Sequence, residues 1–217
     1  AAADVEYLAE AETKLETFII TLDDGNGGTV ERTISVTITG TNDAPVLTVD
    51  ATGGVTEDAT NPALLTSGTL SFTDVDLIDT HTVGSELASP PVWSGGDLTG
   101  VLTPEEITGL VSGFSADGDS WDFTVDNALV EFLAAGETIT LTYTVTVTDS
   151  SGAGNAADSE QVVVTITGTN DAPVIDELTS VLSGALYENT AANGALQAAV
   201  NGQVDFSDVD ASDTPTA

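Results

Sequence analysis

Thr140-Leu141-Thr142-Tyr143-Thr144-Val145-Thr146-Val147-Thr148 alternates polar and apolar side chains without a break. A period of two puts Leu141, Tyr143, Val145 and Val147 on one face, the pattern of a half-buried β-strand. Thr17 to Leu22 echoes it near the start of the chain. Thr33 to Thr39 and Val162 to Thr167 read as strands, and further candidates are Val46 to Val49, Thr69 to Thr73, Thr80 to Val83 and Trp121 to Val125. About seven such strands in one stretch of the chain predict an antiparallel sandwich. Two helical turns interrupt it. Thr103-Pro104-Glu105-Glu106 reads as a capping box with proline in the first turn, and Asp126 can cap a turn through Leu129, Phe132 and Leu133 that stops near Gly136. Residues 84–102, with Pro90-Pro91 and Gly95-Gly96, read as a long irregular loop.

The strand endings lead to a repeat. VTITGTNDAPV stands at Val36–Val46 and again at Val164–Val174, a spacing of 128 residues from Gly40 to Gly168. Val5-Glu6-Tyr7-Leu8-Ala9 matches Val130-Glu131-Phe132-Leu133-Ala134, and Phe72-Thr73-Asp74-Val75-Asp76 matches Phe206-Ser207-Asp208-Val209-Asp210. A long period kept this closely marks a tandem array. Residues 1–43 are then the back part of one repeat, 44–171 a complete repeat and 172–217 the front part of a third. The opening AAADVEYLAEAET lacks the basic and apolar regions of a signal peptide and reads as the middle of something longer.

The charge is lopsided: 36 acidic residues against two basic ones, Lys14 and Arg32, give −34. Such a chain repels phosphate backbones and anionic lipid, which argues against nucleic acid and membrane surfaces as partners. No stretch approaches the roughly 20 apolar residues that span a bilayer. With 41% hydrophobic residues in regular alternation, the chain reads as folded. Repulsion among its carboxylates weakens the compact state unless cations neutralise it, and the chain itself supplies almost none. Calcium, which prefers carboxylate and carbonyl oxygen, is the natural counter-ion; the plainer alternative is that the acidity serves solubility. The absence of cysteine excludes disulfides and a thiolate zinc site.

The acidic residues cluster around the repeated junction. Asn42-Asp43 and Asn170-Asp171 follow the last strand of each repeat, and a proline two positions on stiffens the exit. Asp74-x-Asp76 with Asp79 recurs as Asp208-x-Asp210 with Asp213. Asp149 closes the long strand as Asp23-Asp24 closes its echo. Glu57 and Glu188 recur early in their repeats, and Glu12 and Glu137 just before the long strand. Recurrence at fixed places favours metal ligands over solvated turns.

With TGTNDAPV, EDA, SFTDVDLIDTHTV and LAAGETITLTYTVTVTDSSG in view, the chain resembles the VCBS-type repeats of giant bacterial surface proteins and RTX adhesins. More distantly it resembles cadherin modules. The resemblance covers 44–171 and both flanking fragments. It implies Ig/cadherin-like Greek-key sandwiches joined by calcium-bound linkers, on a secreted protein at the bacterial surface. Carried over by position, it implies Glu12, Asn42, Asp43, Asp74, Asp76 and Asp149 as ligands at the first joint. At the second it implies Glu57, Glu137, Asn170, Asp171, Asp208 and Asp210. The cadherin mid-module motif is Asp-Arg-Glu, where this chain has Ala135-Gly136-Glu137, and the linker is shorter. One or two ions per joint are therefore expected.

The function expected on these grounds is a structural extender stiffened by calcium at its joints, with adjacent repeats or neighbouring copies as partners. Two alternatives stand beside it. Trp93, in the long loop, could stack on a surface glycan. The partial repeats at either end could pair between copies into a head-to-tail filament. An enzyme is not expected: His81 is the sole histidine and there is no cysteine, which removes most nucleophile–base pairs. Gly25-Asn26-Gly27-Gly28 has no following lysine and reads as a hairpin turn, not a phosphate loop. Trp121 alternates with its neighbours and reads as core.

Overall fold

The computed structural model describes residues 5–58, 62–180 and 202–216. The chain opens with a hairpin of β1 (Thr13–Asp23) and β2 (Thr29–Thr39), closed by Asp24, whose Oδ1 accepts the amides of Asn26 and Gly28. The next strands are β3 (Val46–Val49), β4 (Thr52–Thr56), β5 (Ala63–Thr73), β6 (His81–Leu87) and β7 (Val92–Trp93). The helix α1 (Pro104–Val111) precedes β8 (Phe114–Ala116), β9 (Ser120–Asp126), β10 (Thr138–Asp149) and β11 (Ala157–Thr167). Two short strands, β12 (Val174–Ile175) and β13 (Phe206–Ser207), pair with each other near the end.

Residues 46–167 form two sheets. One has the order β3-β5-β9-β8; the other runs β4-β11-β10-β6, with β7 also on β10. Every pairing is antiparallel except β4 on β11. The chain leaves the first sheet after Val49 and enters the second at Thr52, so one short segment ties both sheets together. This is the immunoglobulin-type β-sandwich arrangement.

The alternation in β10 works as expected: Ile139, Leu141, Tyr143, Val145 and Val147 are buried and the intervening threonines are half-exposed. They meet Leu64, Leu70, Trp121, Phe123 and Val125 from the facing sheet in one core. Phe114 stacks on Tyr143 at 4.2 Å, and the Tyr143 hydroxyl donates to the Val111 carbonyl at 2.9 Å, so the ring's polar end is satisfied. Trp121, fully buried, donates from Nε1 to the Asp50 carbonyl. The capping box forms in full, with the Thr103 and Glu106 side chains each bonding the other's backbone, and Asp126 caps a single 3-10 turn through Leu129. The stretch 84–102 differs from expectation. Its first residues prolong β6 to Leu87, and Val92–Trp93 adds β7 to the edge of β10.

The hairpin β1–β2 repeats the register of β10–β11. Phe18 faces Ile34 as Tyr143 faces Val162, and Thr13 faces Thr39 as Thr138 faces Thr167. Burial separates them: Phe18, Ile20, Leu22, Val30, Ile34 and Val36 are all at least 44% exposed, whereas their β10–β11 counterparts include the centre of the core.

Candidate metal centres

The two joints are wired alike. Gly40 N–H donates to the Glu12 carbonyl, and Gly168 N–H to that of Glu137. Leu77 N–H reaches the Tyr7 carbonyl, and Ala211 N–H that of Phe132. Asp43 N–H donates to Asp76 Oδ2 at 2.8 Å, and Asp171 N–H to Asp210 Oδ2 at 3.0 Å. Asp76 N–H is held by Asp74 Oδ1, and Asp210 N–H by Asp208 Oδ1. The linker asparagines close the pattern, Asn42 Nδ2 bonding the Asp43 carbonyl and Asn170 Nδ2 that of Asp171. Glycine is required at the pivot. A Cβ on Gly40 would lie 2.1 Å from the Leu8 carbonyl oxygen, and one on Gly168 2.4 Å from that of Leu133.

At the first joint these bonds gather five of the expected residues. Asn42, itself buried, donates to Asp149 Oδ2 at 3.2 Å. Asp74, Asp79 and Asp149 bring a carboxylate oxygen each to within 4.8 Å of one another. Asn155 clamps the linker by donating to the Asn42 carbonyl. His81, which faces Asp149 across the β6–β10 pairing, bonds Asp74 Oδ2 at 2.7 Å. Burial pushes the Asp76 carboxyl up from its ordinary range. Burial would do the same to Asp149, but bonds from Ser151 and Asn42 outweigh it and hold that carboxyl low.

At the second joint Glu57, Glu131 and Asp171 converge within the same 4.8 Å. Glu57 is 1% exposed; its Oε2 accepts the Thr169 amide and its Oε1 has no partner. Burial, first, and the charges of Asp171, Glu131 and Asp58 push its pKa up to about 7 against a bond from Thr169 that lowers it. Burial also raises Glu131, Asp171 and Asp210. Asn127, fully buried, donates from Nδ2 to Asp58 Oδ1 and to Glu131 Oε1, and so fixes both acids at the rim. Asp208 adds its charge beside Asp171.

The remaining expected residues sit differently. The Glu12 carboxylate accepts the Ala9 amide and that of Glu137 the Ala134 amide and Trp93 Nε1, so both close local turns. Asn170 is exposed at the linker surface. Glu188 lies outside the described residues. Glu131 was missed, although the matched stretches Val5–Ala9 and Val130–Ala134 carry it as the counterpart of Glu6. Asp58 and Asn127 gave no repeated signal. Trp93 packs edge-on against Phe132 at 5.1 Å.

Both clusters fit a hard cation. Each offers only oxygen, and each contains buried oxygens without a hydrogen-bond donor: Asn42 Oδ1, Asp76 Oδ1 and Asp79 Oδ2 at the first joint, Glu57 Oε1, Asp171 Oδ2 and Asp210 Oδ1 at the second. Buried anionic oxygens are expected to be paired or to coordinate metal.

No family model matches the chain, and no curated protein does. Among solved structures, it is similar to AggA, the major subunit of aggregative adherence fimbriae type I from Escherichia coli, at 14% identity. That match covers 58% of this chain and 94% of AggA, with a TM-score of 0.32. Drosophila N-cadherin EC1-4 matches at 18% identity over 79% of this chain and 37% of its own, with a TM-score of 0.35. The zebrafish RET cadherin-like domains 1 to 4 match at 10% identity over 72% and 34%, with a TM-score of 0.26. The chain thus spans about a third of the length of the two cadherin structures.

Proposed function

We propose that the chain is a structural module of an extracellular adhesin or surface fibre, a run of β-sandwich repeats whose joints are stiffened by calcium. The observation that carries this reading is Glu57: a carboxylate sealed from solvent among other acids, with one oxygen bare of any donor. The charged side chains that act on it are all acids, Asp171, Glu131 and Asp58. A divalent cation supplies what the fold lacks, accepting oxygens from Glu57, Glu131 and Asp171 and bridging the end of the sandwich to the linker. Asp74, Asp76, Asp79 and Asp149 would serve the first joint with Asn42 and Asp43. The complete repeat is 44–171 in this reading, with parts of its neighbours on either side.

The role is mechanical. Carboxylates from both sides of a linker repel one another until an ion crosslinks them; the joint then resists bending. Calcium titration by calorimetry, paired with small-angle scattering, tests this. The expected result is saturable binding that makes the particle longer and straighter. No heat and an unchanged scattering profile would overturn it.

A further inference from the structure

Asn42 is held on every side but one. Its N–H donates to Glu10 Oε2 at 3.1 Å, and its carbonyl accepts from Asn155 Nδ2 at 2.9 Å. Its own Nδ2 reaches the Asp43 carbonyl at 2.9 Å, Asp149 Oδ2 at 3.2 Å and Asn155 Oδ1 at 3.4 Å. What is left is Oδ1, which is buried and has no donor among the described residues; Asp76 Oδ1 and Asp79 Oδ2 share that state. Asn42 and Asp76 are 9% and 2% exposed, so water does not supply the missing bonds. One amide oxygen and two carboxylate oxygens without donors form a set that a hard cation completes.

The direction of the Asn42 amide follows from its partners. Turning an asparagine over exchanges an acceptor for two donors. The Asp43 carbonyl and the Asp149 carboxylate accept, which draws Nδ2 to their side. Asn155 adds a reciprocal pair: its Nδ2 is committed to the Asn42 carbonyl, and that turns its Oδ1 toward Asn42 Nδ2. Asn155 stands in the loop between β10 and β11, 113 residues beyond Asn42, so it ties the tip of that hairpin to the linker. The hairpin itself does not require it. In β1–β2 the Asp24 N–H donates to the Gly28 carbonyl as Asp149 N–H donates to that of Ala156, and Gly27 stands where β10–β11 has Asn155.

We propose that Asn155 is a positioning residue of the first joint: acting through Asn42, it fixes the linker amide with Oδ1 free for the ion, so the joint is shaped before the ion arrives. The inference rests on the calcium reading above. Calcium titration of the full chain tests it, with the first joint followed by the amide NMR signal of Asp76 and the second by that of Asp210. Asn155→Ala removes both bonds and should weaken calcium at the first joint by about tenfold or more, leaving the second unchanged. Asn155→Gly, which gives the hairpin the residue that β1–β2 carries there, should behave alike. In an Asn42→Ala background the same substitutions should add nothing, because the group they act on is gone. In chelator, Asn155→Ala should also speed exchange of the Asp43 amide hydrogen by about tenfold, which reports the loosened linker without metal. Unchanged affinity in both Asn155 variants would overturn the proposal, as would an equal loss with and without Asn42. Failure of the unsubstituted chain to bind calcium at all would instead remove the calcium reading, and this inference with it.

Discussion

The two joints share their backbone wiring and differ in which acids converge. At the first, the gathered carboxylates all come after Asn42-Asp43 in the sequence: Asp74, Asp79 and Asp149. At the second they come before Asn170 and from Asp171 beside it: Glu57, Glu131 and Asp171. The same pattern of amide bonds, from Asp43 to Asp76 and from Asp171 to Asp210, runs through both. A joint therefore has two acidic walls, and each joint of this chain displays one of them most fully. The walls also differ in the groups that bond them. Asp74 has the His81 imidazole at 2.7 Å, whereas among the described residues the Glu57 cluster is bonded by amide donors.

The largest effect should come from the ion. If each joint binds calcium at about a hundred times its dissociation constant, linkage adds ~2.7 kcal/mol per site, or about 5 kcal/mol for both. Calorimetric melting should therefore fall by many degrees when calcium is replaced by chelator; superimposable melts would remove the metal from both walls. Next comes pH in chelator. Glu57 has a pKa of about 7 when folded and an ordinary value of 4.5 when unfolded. A raised carboxyl binds more protons in the folded state, so the contribution of Glu57 to stability is greatest below 4.5 and falls as pH rises toward 7. The full loss is on the order of 3 kcal/mol. Glu57→Gln should flatten that slope, and the contrast is broken if it persists unchanged.

Single-joint variants sharpen the comparison at smaller scale. Asp171→Ala should remove about 2 kcal/mol of calcium-dependent stability and one binding event, while hydrogen exchange around Tyr143 stays slow. Loss of every binding event would mean that the joints are coupled. Gly168→Ala forces a side chain against the Leu133 carbonyl and should cost about 1–2 kcal/mol in thermal melts with calcium or without. A cost seen only with calcium would make Gly168 part of the metal site and not a backbone pivot.

The alternation in Thr140–Thr148 was enough to place the longest strand and four of its core residues, because burial on one face of a sheet writes itself as a period of two. The doubled VTITGTNDAPV leads into the two segments where matching amide bonds gather the acids, Asp43 to Asp76 and Asp171 to Asp210. Sequence pattern was weaker for residues whose role depends on a partner far along the chain. Glu131 enters its cluster through Glu57 and Asp171, separated from it by tens of residues, and Asn127 bonds Asp58 across the module. Spacing carries no record of such contacts. Stretch 84–102 misled for a related reason. Pro90-Pro91 and Gly95-Gly96 break the local pattern, yet Val92 and Trp93 still find β10.

The smallest effect separates position from role. Glu12 and Glu137 stand at the repeated place where the cadherin resemblance puts a ligand, but each carboxylate is occupied in closing a turn, Glu12 on the Ala9 amide and Glu137 on the Ala134 amide. Glu137 also holds the indole of Trp93 at 3.2 Å. Both donors reach the same oxygen of Glu137, Oε2, and turning that oxygen toward an ion leaves the two of them unpaired. Glu137→Gln keeps an acceptor there and should cost about 1 kcal/mol or less in thermal stability. Its effect on calcium affinity should be smaller still, whereas Glu131→Gln should weaken binding at the second joint by tenfold or more. Isothermal titration of the two variants side by side decides between them. If Glu137→Gln is the one that loses binding, the metal reorganises the turn, and the wall at the second joint is larger than Glu57, Glu131 and Asp171.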